Sequence, residues 1–93
     1  MPSPWEVVRG YVKEAASKAR GGVICINFSK VVKWAKRAGI PSDYENSLRA
    51  LFPRIIAEEY GEAIVSVKKA KGKASTFILN VNTLRKILTR EEV

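Results

Sequence analysis

The chain has 93 residues, enough for one small domain with a single hydrophobic core and too few for two. It carries 17 Lys and Arg against 9 Asp and Glu, and its one cysteine and lack of histidine exclude a disulfide framework and a Cys/His zinc site. It has no apolar run of about 18 residues and no signal-peptide pattern, so we expect a cytoplasmic protein without a membrane partner. The net charge of +8 predicts a nucleic-acid partner, because a strongly positive surface concentrates polyanions. The absence of glutamine is typical of thermophile proteins.

Ser3, Pro4 and Glu6 predict the start of the first helix: a Ser cap, a Pro at the first helical position, and a Glu that reaches back to the cap amide. Apolar residues then recur at three- and four-residue spacing and predict a buried face. They are Trp5, Val8, Val12, Ala15 and Ala19. The helix is expected to run to about Arg20, before a glycine pair.

A short β-branched run, Val23–Ile26, predicts a strand in which Cys25 is a buried small hydrophobe. Asn27 or Ser29 is expected to cap the second helix. One face of this helix is apolar, with Phe28, Val31, Val32, Ala35 and Ala38, and the opposite face is basic, with Lys30, Lys33, Lys36 and Arg37. Gly39 should end it in a left-handed conformation.

The third helix is expected to begin with a capping box formed by Ser42 and Glu45. Its predicted buried stripe is Tyr44, Leu48, Leu51, Phe52, Ile55 and Ile56. Pro53 should kink or restart the helix because it removes the amide that would bond to the carbonyl of Arg49. Gly61 should end it.

Alternating apolar and polar residues on both sides of residues 69–75 predict a β-hairpin. Its tip is basic, since Lys68, Lys69, Lys71 and Lys73 lie within six residues of one another. Asn82 is expected to cap a short last helix that contains Leu84, Ile87 and Leu88 and frays from residue 89 onward.

The order helix, strand, helix, helix, hairpin, with a short C-terminal helix, resembles the winged-helix superfamily over residues 5–82. Ala35, Gly39 and Leu48 look like the small residue, the turn glycine and the buried residue of a helix-turn-helix signature. Glu45 departs from that signature, which usually has an apolar residue there, and a slightly longer turn with Tyr44 and Leu48 as the buried pair accommodates it. The resemblance implies one α+β winged-helix domain over residues 1–93 that binds DNA through its third helix and hairpin.

Double-stranded DNA requires donors that reach base edges and cations that displace phosphate counterions. On the third helix, Asn46, Arg49 and Arg54 are the candidate base readers, because Arg pairs with guanine and Asn with adenine. Phosphate contacts are expected from the hairpin lysines at 68, 69, 71 and 73 and from Lys33, Lys36 and Arg37. Because the lysines outnumber the helix donors, we predict a backbone grip with weak sequence preference, although lysines also protect hairpin edges from aggregation and the helix donors also suit a solvated face.

An alternative is a non-catalytic accessory subunit of a DNA replication or transcription complex, since small basic accessory subunits of archaeal replicative DNA polymerases are similar in size and charge. Glu58, Glu59 and Glu62, which gather at the end of the third helix, would then form a docking face. A transcription regulator or a chromatin-like factor fits the first interpretation. The absence of histidine and of a glycine-rich phosphate loop argues against an enzyme, a cofactor or a small-molecule substrate.

Overall fold

The computed structural model describes residues 3–69 and 76–92. Within these ranges the chain forms four α-helices and one three-stranded antiparallel sheet, so the predicted α+β class is confirmed. The elements in chain order are α1 (Pro4–Lys18), β1 (Val23–Ile26), α2 (Phe28–Arg37), α3 (Glu45–Tyr60), β2 (Ile64–Lys68), β3 (Thr76–Asn80) and α4 (Val81–Glu92). Short 3-10 turns, Ser42–Tyr44 and Gly61–Ala63, stand before and after α3.

The sheet has the strand order β1-β3-β2, and one of its faces covers the core. Phe77 and Leu79 of β3 point inward and are buried, and their partners on β1 are Ile26 and Ile24. Cys25 lies between these two positions, opposite Ile78, and is exposed. The prediction that Cys25 is buried was therefore wrong, because alternate residues of a strand point to opposite faces and the inward positions belong to the two isoleucines.

All four helices and the sheet contribute to one hydrophobic core. The buried face of α1 consists of Val7, Val8, Val12 and Ala16, whereas the predicted Trp5, Ala15 and Ala19 are only half-buried. Because α1 contacts α2, α3 and α4, its buried face is set by several neighbours, which a single helical stripe cannot anticipate. Three rings, Phe28, Phe52 and Phe77, meet edge to face and join α2, α3 and β3, with centroid separations of 6.4 and 5.6 Å.

The predicted helix starts at Ser3 and Asn27 are confirmed. Each side chain accepts a hydrogen bond from the backbone amide three residues later, at 3.3 and 2.9 Å. The first helix ends at Lys18, two residues before the predicted Arg20, because Ala19 is already extended. The Arg85 guanidinium donates to the carbonyl oxygens of residues 16 and 19, which satisfies two acceptors at this helix end.

The turn between α2 and α3 depends on Gly39, which has a φ of +78°. The Gly39 amide donates to the Lys36 carbonyl at 3.1 Å, and the Ile40 amide donates to the Ala35 carbonyl at 3.0 Å. This pair of bonds is a Schellman motif, and it confirms the predicted left-handed glycine.

The start and middle of α3 differ from the sequence-based expectation. The capping box was wrong: Ser42 opens a 3-10 turn, and no side chain caps either that turn or α3. Pro53 lies on the exposed side of a helix that continues from Glu45 to Tyr60, so the predicted restart was also wrong. The buried face holds the helix together across the missing amide, because Leu48, Phe52, Ile55, Ile56 and Tyr60 all pack into the core.

The last helix begins earlier and ends later than predicted. Its cap is Asn80, whose side chain accepts a hydrogen bond from the Thr83 amide at 3.0 Å, and the expected cap, Asn82, is exposed. The helix continues to Glu92, so the predicted fraying from residue 89 was wrong. Buried Val81, Leu84 and Ile87 anchor it, and Arg90 forms an ion pair with Glu62 at 3.4 Å.

Candidate nucleic-acid interface

The strands of the hairpin place its first two lysines on an exposed end of the sheet. Lys68 pairs with Thr76 at the last register position of β2 and β3, and Lys69 follows it. Both residues are exposed. Lys71 and Lys73, the other two predicted hairpin contacts, lie outside the described residues.

The three candidate base readers on α3 are all exposed, but they differ in what they contact. Asn46 lies in the first turn of the helix. The Arg49 guanidinium stacks on the Phe28 ring, 5.3 Å from its centroid, which holds it at the junction of α2 and α3. Arg54 donates to Glu58 one turn later, at 2.8 Å, and this hydrogen bond raises the pKa of Arg54.

The outward surface of α3 between these residues is small and flat. Ala50, Pro53 and Ala57 occupy successive exposed positions along it. With Arg54 engaged by a carboxylate and only Asn46 and Arg49 left as donors, α3 offers few hydrogen bonds to base edges.

The basic face of α2 is divided between two neighbours. Phe28 contacts α3 and Trp34 contacts α1, so the cations between them lie either toward α3 or toward α1. By helical spacing, Lys36 lies on the α3 side, and Lys33 occupies the middle of the face. Both are exposed, and no described carboxylate lies within ion-pair distance of either one. Arg37 is exposed on the α1 side.

The acidic residues at the end of α3 are each paired with an arginine. Glu58 pairs with Arg54, Glu59 with Arg9, and Glu62 with Arg90. These glutamates line a groove of about 400 Å³ between the end of α3 and α4, together with Ile87. The predicted cluster at the end of α3 is therefore present, but its charges are largely compensated.

A second groove, which sequence reasoning missed, runs between α1 and α2 and has a volume of about 270 Å³. Its floor includes Trp34, whose indole N–H donates to a Glu14 carboxylate oxygen and whose ring meets Tyr11 edge to face with centroids 6.2 Å apart. A Cβ at Gly10 would lie 2.7 Å from Cη2 of Trp34, so only glycine fits at that position of α1 without a shift. A glycine inside an otherwise helical pattern was the available signal.

Hydrogen bonds tune the acidity of the groove carboxylate. Lys18 Nζ lies 3.0 Å from a Glu14 carboxylate oxygen, and the pKa of Glu14 is lowered chiefly by hydrogen bonds from Lys18 and Trp34 and further by the nearby charge of Arg37. Burial raises the pKa of Tyr11, and the neighbouring Cys25 and Glu14 add to this shift. The Glu14 carboxylate therefore stays ionised in a groove whose other charges are positive.

No family model, curated protein or solved structure matches this chain. Function must therefore be inferred from the side chains themselves. Within residues 3–69 and 76–92, no helix combines the length and the apolar character needed to cross a membrane. The same ranges hold no group of three or more His, Cys, Asp or Glu side chains placed to bind a metal ion.

Proposed function

We propose that the protein is a winged-helix protein that binds double-stranded DNA, grips the phosphate backbone and reads bases only weakly. In this assignment α2, the Gly39 turn and α3 form the helix-turn-helix, and β2 and β3 form the wing. The three-stranded sheet, in which β1 pairs with the second strand of the hairpin, is consistent with it.

The observation that carries the proposal is the distribution of uncompensated positive charge. All three glutamates at the end of α3 are tied to arginines, whereas Lys33 and Lys36 on α2 and Lys68 and Lys69 on the hairpin have no ion-pair partner among the described residues. Lysines that are free of carboxylates are available to displace counterions from phosphates.

Weak sequence preference follows from the composition of α3. A well-aligned bidentate contact discriminates between bases by about 1–3 kcal/mol, and Asn46 and Arg49 are the only donors on this surface without a carboxylate partner among the described residues. Arg49 rests on Phe28 and must leave that ring or extend past it to reach a base.

Replacement of Lys68 and Lys69 by Ala tests the proposal. Each phosphate neutralised on duplex DNA contributes about 0.9 to the log–log salt slope, so losing two contacts should flatten the slope by nearly two units and weaken binding at least tenfold at low salt. The measurement is fluorescence anisotropy on two duplexes of unrelated sequence over a series of salt concentrations. The wild-type affinities for the two duplexes should differ by less than about tenfold, which corresponds to less than one full base contact.

A charge-matched control replaces Arg20 and Lys86, which are exposed cations outside the proposed interface. This control should change affinity much less than the hairpin variant. Equal losses in the two variants would reduce the effect to net charge and contradict a localised interface, and no loss in the hairpin variant would contradict the wing.

A second candidate function is that of a non-catalytic accessory subunit, which one observation favours: the groove between α1 and α2 combines cations with aromatic side chains. Purification of the protein from its native cells tests this role. A stoichiometric partner should accompany the protein, and its recovery alone would count against an accessory function.

A further inference from the structure

The groove between α1 and α2 carries an unbalanced charge. The cations that line it are Lys18 from α1 and Lys30, Lys33 and Arg37 from α2, and its one carboxylate is Glu14. Glu14 is engaged by Lys18, Trp34 and the charge of Arg37. Lys30 and Lys33 have no carboxylate partner among the described residues, so the groove has room for further negative charge.

The groove also has a built aromatic floor. Trp34 is only half-buried, although its six-membered ring packs against Gly10 and its N–H is satisfied by Glu14. A glycine inside a helix costs about 1 kcal/mol relative to alanine, and here it provides the space in which the indole lies against α1. Tyr11, also half-buried, extends the apolar surface beside Trp34.

We propose that this groove binds an acidic peptide segment of a partner protein. Carboxylates of the peptide pair with Lys30, Lys33 and Arg37, and an apolar side chain of the peptide covers the exposed parts of Trp34 and Tyr11. An aromatic floor with a charged rim is the usual composition of a protein-binding surface. The inference is independent of DNA binding, because Lys18 and Lys30 have no part in the proposed DNA interface.

Two features of the groove favour a peptide over nucleic acid. Its volume of about 270 Å³ accommodates one or two side chains, whereas a duplex is gripped by an open surface. The ionised Glu14 repels phosphates along the floor, but a peptide can direct its acidic side chains past it to the α2 rim. Trp34 is held between Gly10, Tyr11 and Glu14, whereas a platform for single-stranded bases presents a free ring face.

The test uses the full chain and a short fluorescein-labelled peptide of Asp and Glu with interspersed Leu. Reversing two groove charges, Lys18→Glu with Lys30→Glu, should weaken peptide binding at least tenfold. The matched control, Lys68→Glu with Lys69→Glu, changes the net charge equally and should leave peptide binding within about threefold while it weakens duplex DNA binding. Anisotropy measures both ligands, and circular dichroism verifies that each variant is folded.

An independent readout comes from the groove tryptophan itself. In a Trp5→Phe background, Trp34 is the only remaining tryptophan, and its fluorescence should change when unlabelled peptide binds. If the double charge reversal unfolds the protein, the single variant Lys30→Ala replaces it, with an expected loss of about threefold or more.

Three outcomes would overturn the proposal. The first is equal loss of peptide binding in the groove and hairpin variants, which would mean that the peptide follows net charge alone. The second is binding that leaves the Trp34 signal unchanged. The third is a groove variant that loses duplex binding as strongly as the hairpin variant, which would assign the groove to nucleic acid.

Discussion

Replacing Gly10 with alanine should destabilise the fold, against the usual effect of that substitution. Inside a helix, alanine is more favourable than glycine by about 1 kcal/mol. The new Cβ would lie 2.7 Å from Cη2 of Trp34, whereas carbon atoms pack favourably at about 3.5–4.0 Å, so the indole must retreat by roughly 1 Å. Its contacts with Glu14 and Tyr11 resist this movement, and overpacking of this kind costs about 1–3 kcal/mol.

We therefore expect Gly10→Ala to lower the free energy of unfolding by about 1 kcal/mol, which corresponds to a fall of about 4–8 °C in Tm. Urea denaturation followed by circular dichroism measures the change. Gly61→Ala is the matched control, because Gly61 has a right-handed helical conformation and open space around its Cβ position, and it should stabilise the fold by about 0.4–1 kcal/mol.

A double-mutant cycle isolates the contact between α1 and the indole. In a Trp34→Phe background the shorter ring leaves room for the methyl group, so Gly10→Ala should become stabilising by up to about 1 kcal/mol. If Gly10→Ala stabilises the wild type as much as Gly61→Ala does, the indole does not pack against α1 in the way described.

Two further predictions concern a helix cap and a candidate base reader. Asn80→Ala should cost about 1 kcal/mol in thermal unfolding, because the Thr83 amide loses its acceptor, whereas Asn82→Ala should stay within about 0.5 kcal/mol; equal effects would contradict the assigned cap. Glu58→Gln should cost less than about 0.5 kcal/mol of stability, because its pair with Arg54 is exposed, yet it should strengthen duplex binding about two- to fivefold in low-salt anisotropy by releasing the guanidinium. Unchanged binding would place Arg54 away from DNA.

Features that depend on a few neighbouring residues were predictable from the sequence. The caps at Ser3 and Asn27 and the left-handed Gly39 are confirmed, because each is decided by hydrogen bonds within one turn of helix. The two hairpin strands were also predicted, since their alternation and the polar segment between them are local signals.

The errors came from packing between distant parts of the chain. Cys25 was expected to be buried because its neighbours are apolar, but strand register assigns it to the outer face. Pro53 was expected to interrupt α3, but burial of the opposite helix face outweighs one missing hydrogen bond.

The candidate site was predictable in composition more than in arrangement. The exposed lysines were read directly from the sequence, and the pairing of Arg54 with Glu58 was within reach of helical spacing. The groove between α1 and α2 was not, because it joins Glu14 to Trp34 across twenty residues, and no local pattern encodes that meeting.

The edge-to-face packing of Phe28, Phe52 and Phe77 has a consequence for how DNA would be engaged. Since these rings join α2 and α3 to the second strand of the hairpin, the elements proposed to touch DNA are fixed to one another before they meet it. Little conformational entropy would then be lost on docking, and a hairpin seated on the backbone would present α3 at a set distance and angle. Loosening this aromatic junction should therefore weaken binding even though none of its rings touches DNA.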